Sequence, residues 1–185
     1  MRERVTPTGS PSLAGSLLLA HPALSEATFR HTVILMSVHN QDGAMGVVLN
    51  RPLDRRLGDL NVEFSLGPLA AVPVFRGGPV ETEQLLLAAW QAHDDGFKLH
   101  FGIEPDKAGQ LAAEEGAHVR AFLGYSGWSG GQLEKELKQN TWVVTAVPGD
   151  LMSHPQDDGL WRSVLGGISL NWRLIADEPE DTGLN

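Results

Sequence analysis

The segment Gly127-Trp128-Ser129-Gly130-Gly131 matches G-x-S-x-G, the pattern that puts a serine nucleophile on a sharp strand-to-helix turn. Acyl transfer at Ser129 would require a base, and seven histidines are available: His21, His31, His39, His93, His100, His118 and His154. Two features point away from that chemistry. Strand-forming residues end near Tyr125, so Ser129 would not lie on a turn directly off a strand. Ser129 and Gln132 also form Ser-x-x-Gln before a helical run, a capping box whose serine satisfies an orphan helix amide. A helix cap is therefore the expected role of Ser129, with a serine-type hydrolase as the alternative, and no catalytic residue is assigned.

The histidines show no HExxH or comparable metal spacing. His93-Asp94-Asp95 is polar enough for a metal, but three adjacent residues converge poorly on one ion, and a solvated loop is expected. No metal or cofactor is expected. The glycine segments offer a different chemistry. Asn40–Gly46 and Arg76-Gly77-Gly78-Pro79 could present backbone amides to a carboxylate or phosphate, with charge from Arg51 or Arg76. Neither G-x-G-x-x-G nor G-x-x-x-x-G-K-[ST] occurs, and tight turns explain the glycines without a ligand. Tyr125 and Trp128, beside glycines, could add an aromatic recognition surface, whereas Trp142 and Trp161 are expected in a core. The candidate ligand- or partner-binding set is Asn40, Gly43, Gly46, Asn50, Arg51, Arg76, Gly77, Gly78, Tyr125 and Trp128.

The elements that must position these residues follow from apolar patterning. Ser16–Ala20, Thr32–Val38 and Ala44–Leu49 read as short buried strands, the last two forming a hairpin through Asn40, Asp42 and Gly43. Pro52 to Leu69 reads as loop with a short helical turn. Val74-Phe75 and Gln84–Trp90 are strand-like, Phe97–Phe101 alternates as a one-sided strand, and His118–Tyr125 and Trp142–Val147 add two more. Pro105 and Gly116 bracket a helix over Pro105–Glu115. Gln132–Gln139 is a second helix, with Leu133 and Leu137 on one face and Glu134 four before Lys138. Asp158–Leu165 is a third, ended by Gly166-Gly167.

Strands come first and helices concentrate later, which predicts an α+β single domain over residues 14–175. A Pro/Ser/Thr/Gly-rich tail (1–13) precedes it and an acidic tail (176–185) follows. The 185 residues suffice for a sizeable core, and 42% hydrophobic and 20% charged residues are ordinary for a globular chain. A net charge of −9 with no basic cluster argues against direct nucleic-acid binding, which needs phosphate neutralisation. The absence of cysteine excludes disulfides and thiolate metal sites and is compatible with a reducing cytoplasm. The longest early apolar run, Leu17–Ala20, is shorter than the roughly 7–15 residues of a secretory core or the roughly 20 of a membrane span.

Several blocks in order resemble the YqgE/AlgH family of bacterial proteins, from about Gly15 to about Trp172. They are Phe29-Arg30-His31-Thr32-Val33-Ile34-Leu35, His39-Asn40, Gly43-Ala44-Met45-Gly46-Val47-Val48-Leu49-Asn50-Arg51-Pro52 and Gly77-Gly78-Pro79-Val80, followed by Leu123-Gly124-Tyr125-Ser126-Gly127-Trp128, Gly131-Gln132-Leu133-Glu134 and Asn140-Thr141-Trp142. The resemblance implies a bent mixed or antiparallel sheet, partly barrel-like, flanked by helices, and it implies no catalytic residues. The family is often labelled a transcriptional regulator, from a link to alginate production in one member, which does not require DNA contact. The chain departs from the family at its end, where Pro179–Asn185 replaces a Gly-His-Ala ending. The expected function is that of a cytoplasmic, non-enzymatic binding or regulatory domain acting through a protein partner or a small ligand, with a serine-type hydrolase using Ser129 or a transcriptional regulator binding DNA as the alternatives.

Overall fold

The computed structural model describes residues 11–93 and 96–178. Asp94 and Asp95, much of the N-terminal tail and most of the acidic tail lie outside them. The strands are β1 (Leu17–Ala20), β2 (Val33–Asn40), β3 (Gly43–Val48), β4 (Pro52–Arg56), β5 (Pro73–Arg76), β6 (Val80–His93), β7 (Gly96–Phe101), β8 (Ala117–Ser129) and β9 (Trp142–Thr145). The helices are α1 (Leu57–Leu60), α2 (Pro105–Ala112), α3 (Gln132–Lys138), α4 (Asp158–Ile168) and α5 (Leu170–Asp177), with 3-10 turns at Val62–Phe64 and Leu151–Ser153. The architecture is α+β, with one mixed sheet in the order β4-β5-β8-β3-β2-β1-β9 and the β6–β7 hairpin attached to β8. The path has two ends, at β4 and β9, so the sheet does not close.

Strand β8 holds the sheet together. Ala121, Phe122 and Leu123 pair in parallel with Val74, Phe75 and Arg76, and antiparallel with Leu87, Leu86 and Leu85. A strand has two edges, so the chain between Arg76 and Val80 must cross over β8. Beyond the crossing, Ser126–Ser129 pair with Gly46–Gly43 of β3. That pairing extends β8 past Tyr125, where the sequence predicts its end, because ladder partners impose a strand on a glycine-rich run of weak propensity.

Both faces of the first half of the sheet are covered, which explains why β1 reads as an unbroken apolar run. Leu17 and Leu19 enter one core with Trp90, Phe122, Leu160 and Trp161. Leu18 and Ala20 enter the opposite core with Trp128, Leu133 and Trp142. A third cluster joins Leu57, Val74, Leu87, Ala108 and Ala121 beneath the second half.

Three elements differ from expectation. β4 occupies the predicted loop, because this edge strand exposes Asp54, Arg55 and Arg56 and so carries no apolar period. α2 ends at Ala112, and Gly116 turns the chain at φ 76 before β8. α4 runs through Gly166-Gly167 to Ile168, and α5 reaches Asp177, into the segment from Ala176 where the sequence predicts an acidic tail. A Cβ on Gly166 would make ordinary contact with Arg173 at 3.6 Å, so Gly166 faces α5 from within the first helix rather than ending it. Ser169 caps α5 by accepting from the Trp172 amide, and Ala176 is buried.

Candidate functional site

The glycines of the predicted recognition surface make the chain crossing possible. A Cβ on Gly77 would meet the Gly124 carbonyl at 2.2 Å, and one on Gly78 would meet the Tyr125 carbonyl at 2.2 Å. Gly77 donates to the Leu123 carbonyl while its own carbonyl accepts from Val48 N and Ser126 Oγ. These groups are engaged within the sheet and do not form an open anion nest. Gly43 is held equally tightly, since its Cβ would lie 2.2 Å from the Trp128 carbonyl, and Gly46 faces the Leu35 carbonyl at 2.6 Å. Asn40 shapes the hairpin by accepting from the Asp42 amide. Tyr125 packs against the main core, and Arg76 is exposed.

The Asn50-Arg51 corner divides into a structural and an open half. Asn50 is fully buried; its Oδ1 accepts from Val33 N at 2.9 Å and its Nδ2 donates to the His31 carbonyl at 2.8 Å. This clamp fixes the loop before β2, where His31 adopts φ 54 and stacks on Trp161 at 4.1 Å. Arg51 donates to the Arg30 carbonyl and to Asp158 Oδ1 at 3.2 Å. Asp158 is 95% exposed, so this ion pair holds Arg51 only weakly. The Arg51 amide plane is also tied to β5, because Arg76 N donates to the Arg51 carbonyl. The Arg51 side chain nevertheless points elsewhere, into an open cavity of about 540 Å³ shared with Arg30, His31, Arg162 and the first turn of α4. The Asn50-Arg51 and Gly77-Gly78 segments are thus neighbours in the backbone without lining one cavity. Arg162 makes no hydrogen bond or ion pair among the described residues, and it also borders two adjoining hollows. Arg30, His31 and Arg162 are not in the sequence-derived set, since they meet only when the loop before β2 docks on α4.

Trp128 belongs to the interior. It is 7% exposed, meets Trp142 edge-on at 6.0 Å, and donates from Nε1 to Glu136 Oε2 at 2.8 Å. The Trp142 indole donates to the same oxygen at 2.8 Å, and Gln132 Nε2 donates to Oε1. Beside this cluster, His39 Nδ1 accepts from Leu13 N and its Nε2 lies 2.8 Å from Glu134 Oε1. With Nδ1 accepting, Nε2 carries the proton and donates to Glu134. That hydrogen bond holds the Glu134 carboxyl below its ordinary range.

Ser129 ends β8, and Gly131, at φ 78, is the N-cap of α3. Only half of the predicted capping box forms. Gln132 Oε1 accepts from Ser129 N at 3.0 Å and from Ser129 Oγ at 3.2 Å, while Oγ caps no helix amide. The serine is two places too early, because Gly130 and Gly131 separate it from the first helical residue and Gly131 takes the N-cap position. Its proton is directed at a neutral amide oxygen, and no histidine bonds it among the described residues. No three His, Asp or Glu side chains come together as metal ligands among these residues. None of their helices is long and apolar enough to cross a membrane.

A further charged residue escapes the sequence patterns. Arg120, on β8, is 5% exposed, and its guanidinium lies 4.6 Å from the Phe75 ring centre and 4.9 Å from that of Trp90. Its polar partners are neutral: Gln156 Oε1 at 2.9 Å and Met152 Sδ at 3.9 Å. Burial lowers the pKa of the guanidinium from its ordinary value to about 10. The signal was present as one arginine inside the apolar run Ala117–Tyr125.

The profile of the AlgH-like family matches residues 17–173. A UPF0301 protein of Streptomyces coelicolor is 36% identical over 188 residues, covering 94% of this chain and 96% of the relative. A UPF0301 protein of Mycobacterium tuberculosis is 37% identical over 198 residues, covering 99% and 96%. Among solved structures, AlgH from Pseudomonas aeruginosa superposes with a TM-score of 0.65 at 24% identity, over 97% of this chain and 99% of that one. A protein of Corynebacterium diphtheriae superposes with a TM-score of 0.68 at 20% identity, over 91% and 93%. These last two likenesses concern the fold alone. With its profile match running from the first strand through α4 into α5, and relatives aligned over nearly their whole length, the chain belongs to the AlgH-like family.

Proposed function

We propose that the chain is a cytoplasmic, non-enzymatic binding domain with a regulatory role, and that it recognises a small anionic ligand in the cavity beside Arg51. The supporting observation is that Arg30, Arg51 and Arg162 share one cavity with His31, on a chain whose net charge is −9. An acidic surface repels anions in general, so a local group of guanidiniums gives selectivity of place. Arginine suits carboxylate or phosphate, because its planar donors can bind two oxygens at once. The exposed Asp158 carboxylate on Arg51 marks where an incoming anion would compete. Nothing at Ser129 is arranged to activate a nucleophile, which is why binding is preferred to hydrolysis.

Calorimetric titration with inorganic pyrophosphate tests this reading. Binding is expected to weaken at least about tenfold in Arg162→Ala, the loss of one charge-assisted contact, with an unchanged melting temperature. Equal affinity in the variant, or no binding by the natural chain at low salt, would refute it.

A further inference from the structure

Arg120 and Trp90 form a buried cluster of donors that lacks a matching acceptor. All of the Arg120 side chain's hydrogen-bond partners are neutral, and no carboxylate lies within ion-pair distance among the described residues. Trp90, whose ring lies beneath the guanidinium, is 2% exposed, and its Nε1 has no hydrogen-bond partner. Buried polar groups are nearly always satisfied, and a buried charge is ordinarily paired, because both have lost their water. Two ring faces and a glutamine amide offset only part of that loss. A buried guanidinium without a carboxylate partner is a group that an anion would satisfy, and of the two donors Arg120 is the one that lines a cavity.

The surroundings give that anion a place and a shape. Arg120 and Met152, whose sulfur is the weak partner of Nη2, both line a cavity of about 320 Å³. The rest of its wall joins the aliphatic side chains of Pro68, Pro73, Ala112 and Val119 to the imidazole of His118. A hollow with aliphatic walls and a guanidinium at its edge selects a molecule with a charged end and a hydrocarbon body. A carboxylate would offer the guanidinium two oxygens in place of a thioether. Gln156 steadies the cover over this site: its Nε2 donates to the Leu151 and His154 carbonyls while its Oε1 accepts from Arg120.

We propose that Arg120 is the recognition group of a second binding site, which takes the carboxylate of a small organic acid with an apolar body. This site is separate from the Arg51 cavity, which shares none of its lining residues.

The test is an NMR titration of the isotope-labelled full chain with sodium benzoate and sodium hexanoate, following the Arg120 Nε–H and Trp90 Nε1–H resonances. At least one acid is expected to move both signals to saturation, whereas benzamide and inorganic phosphate leave them in place. Arg120→Met, which keeps an unbranched apolar side chain, is expected to weaken binding at least about tenfold. If that variant does not fold, Ala112→Leu narrows the cavity from the exposed end of α2 and is expected to weaken binding while sparing the guanidinium. Arg162→Ala should leave the titration unchanged, so failure of the Arg51 reading and failure of this one are distinguishable. The proposal is overturned if neither acid moves the signals, if phosphate moves them as benzoate does, or if the folded cavity variants bind as the natural chain does.

Discussion

Two tryptophan-bearing regions of this molecule solve the same problem in opposite ways. On one face of the sheet, Trp128 and Trp142 both donate to a single oxygen of Glu136, and Gln132 occupies the other oxygen. On the opposite face, Trp90 has no acceptor and Arg120 has only neutral ones. The first region has its donors matched by a carboxylate brought in on α3, so its polar atoms add specificity to a core. The second carries donors in excess of its acceptors among the described residues. An aromatic residue in the sequence is therefore not a recognition residue by type. What decides its role is whether the fold supplies a partner for its polar atom.

Substitution at the matched cluster should have the larger effect on stability. Glu136→Ala leaves two buried indole donors without an acceptor and is expected to cost about 2–4 kcal/mol in urea unfolding. A change below about 1 kcal/mol would mean that the shared carboxylate is incidental and that the contrast between the regions fails. At the unmatched cluster, Trp90→Phe removes a donor that has nothing to bond. Its unfolding free energy should stay within about 1 kcal/mol of the natural chain, the lost unsatisfied donor offsetting the smaller ring. A loss comparable to that of Glu136→Ala would show that Trp90 Nε1 is satisfied in solution.

The smallest effect concerns the link between His39 and Glu134. The Glu134 carboxyl is held below its ordinary value of 4.5, chiefly by the hydrogen bond from His39. A carboxylate with a lowered folded-state pKa contributes stability that is present above the unfolded value and lost as pH falls through the folded value. The melting difference between the natural chain and Glu134→Gln should therefore be constant near neutrality and shrink once pH drops below 4.5. A difference that persists unchanged into acid would assign the effect to packing of α3.

Much of the fold was legible in the sequence. The β2–β3 hairpin, the Pro105 start of α2 and the inner face of α4 each follow from local signals: a glycine-bearing turn, a proline at the first helical position and an apolar stripe. The candidate site was far less legible. Of the predicted recognition residues, Arg51 combines an open cavity with a charged side chain. Gly43, Gly77 and Gly78 are required by backbone approach, Asn50 by a buried clamp, and Trp128 by packing. Those demands come from strands distant in the chain, and a glycine or tryptophan looks the same in the sequence whichever neighbour requires it.

The sequence by itself determined the family blocks, the α+β order of elements and an acidic, cysteine-free composition, because each is set by residue type and local spacing. Only the tertiary structure decided that the chain crosses β8 at Gly77-Gly78, that Arg51 and Arg162 line one cavity, and that Arg120 is buried with no counter-ion among the described residues. Each of these depends on which segments meet across the sheet, and a side chain's chemistry is fixed by those neighbours as much as by its own atoms.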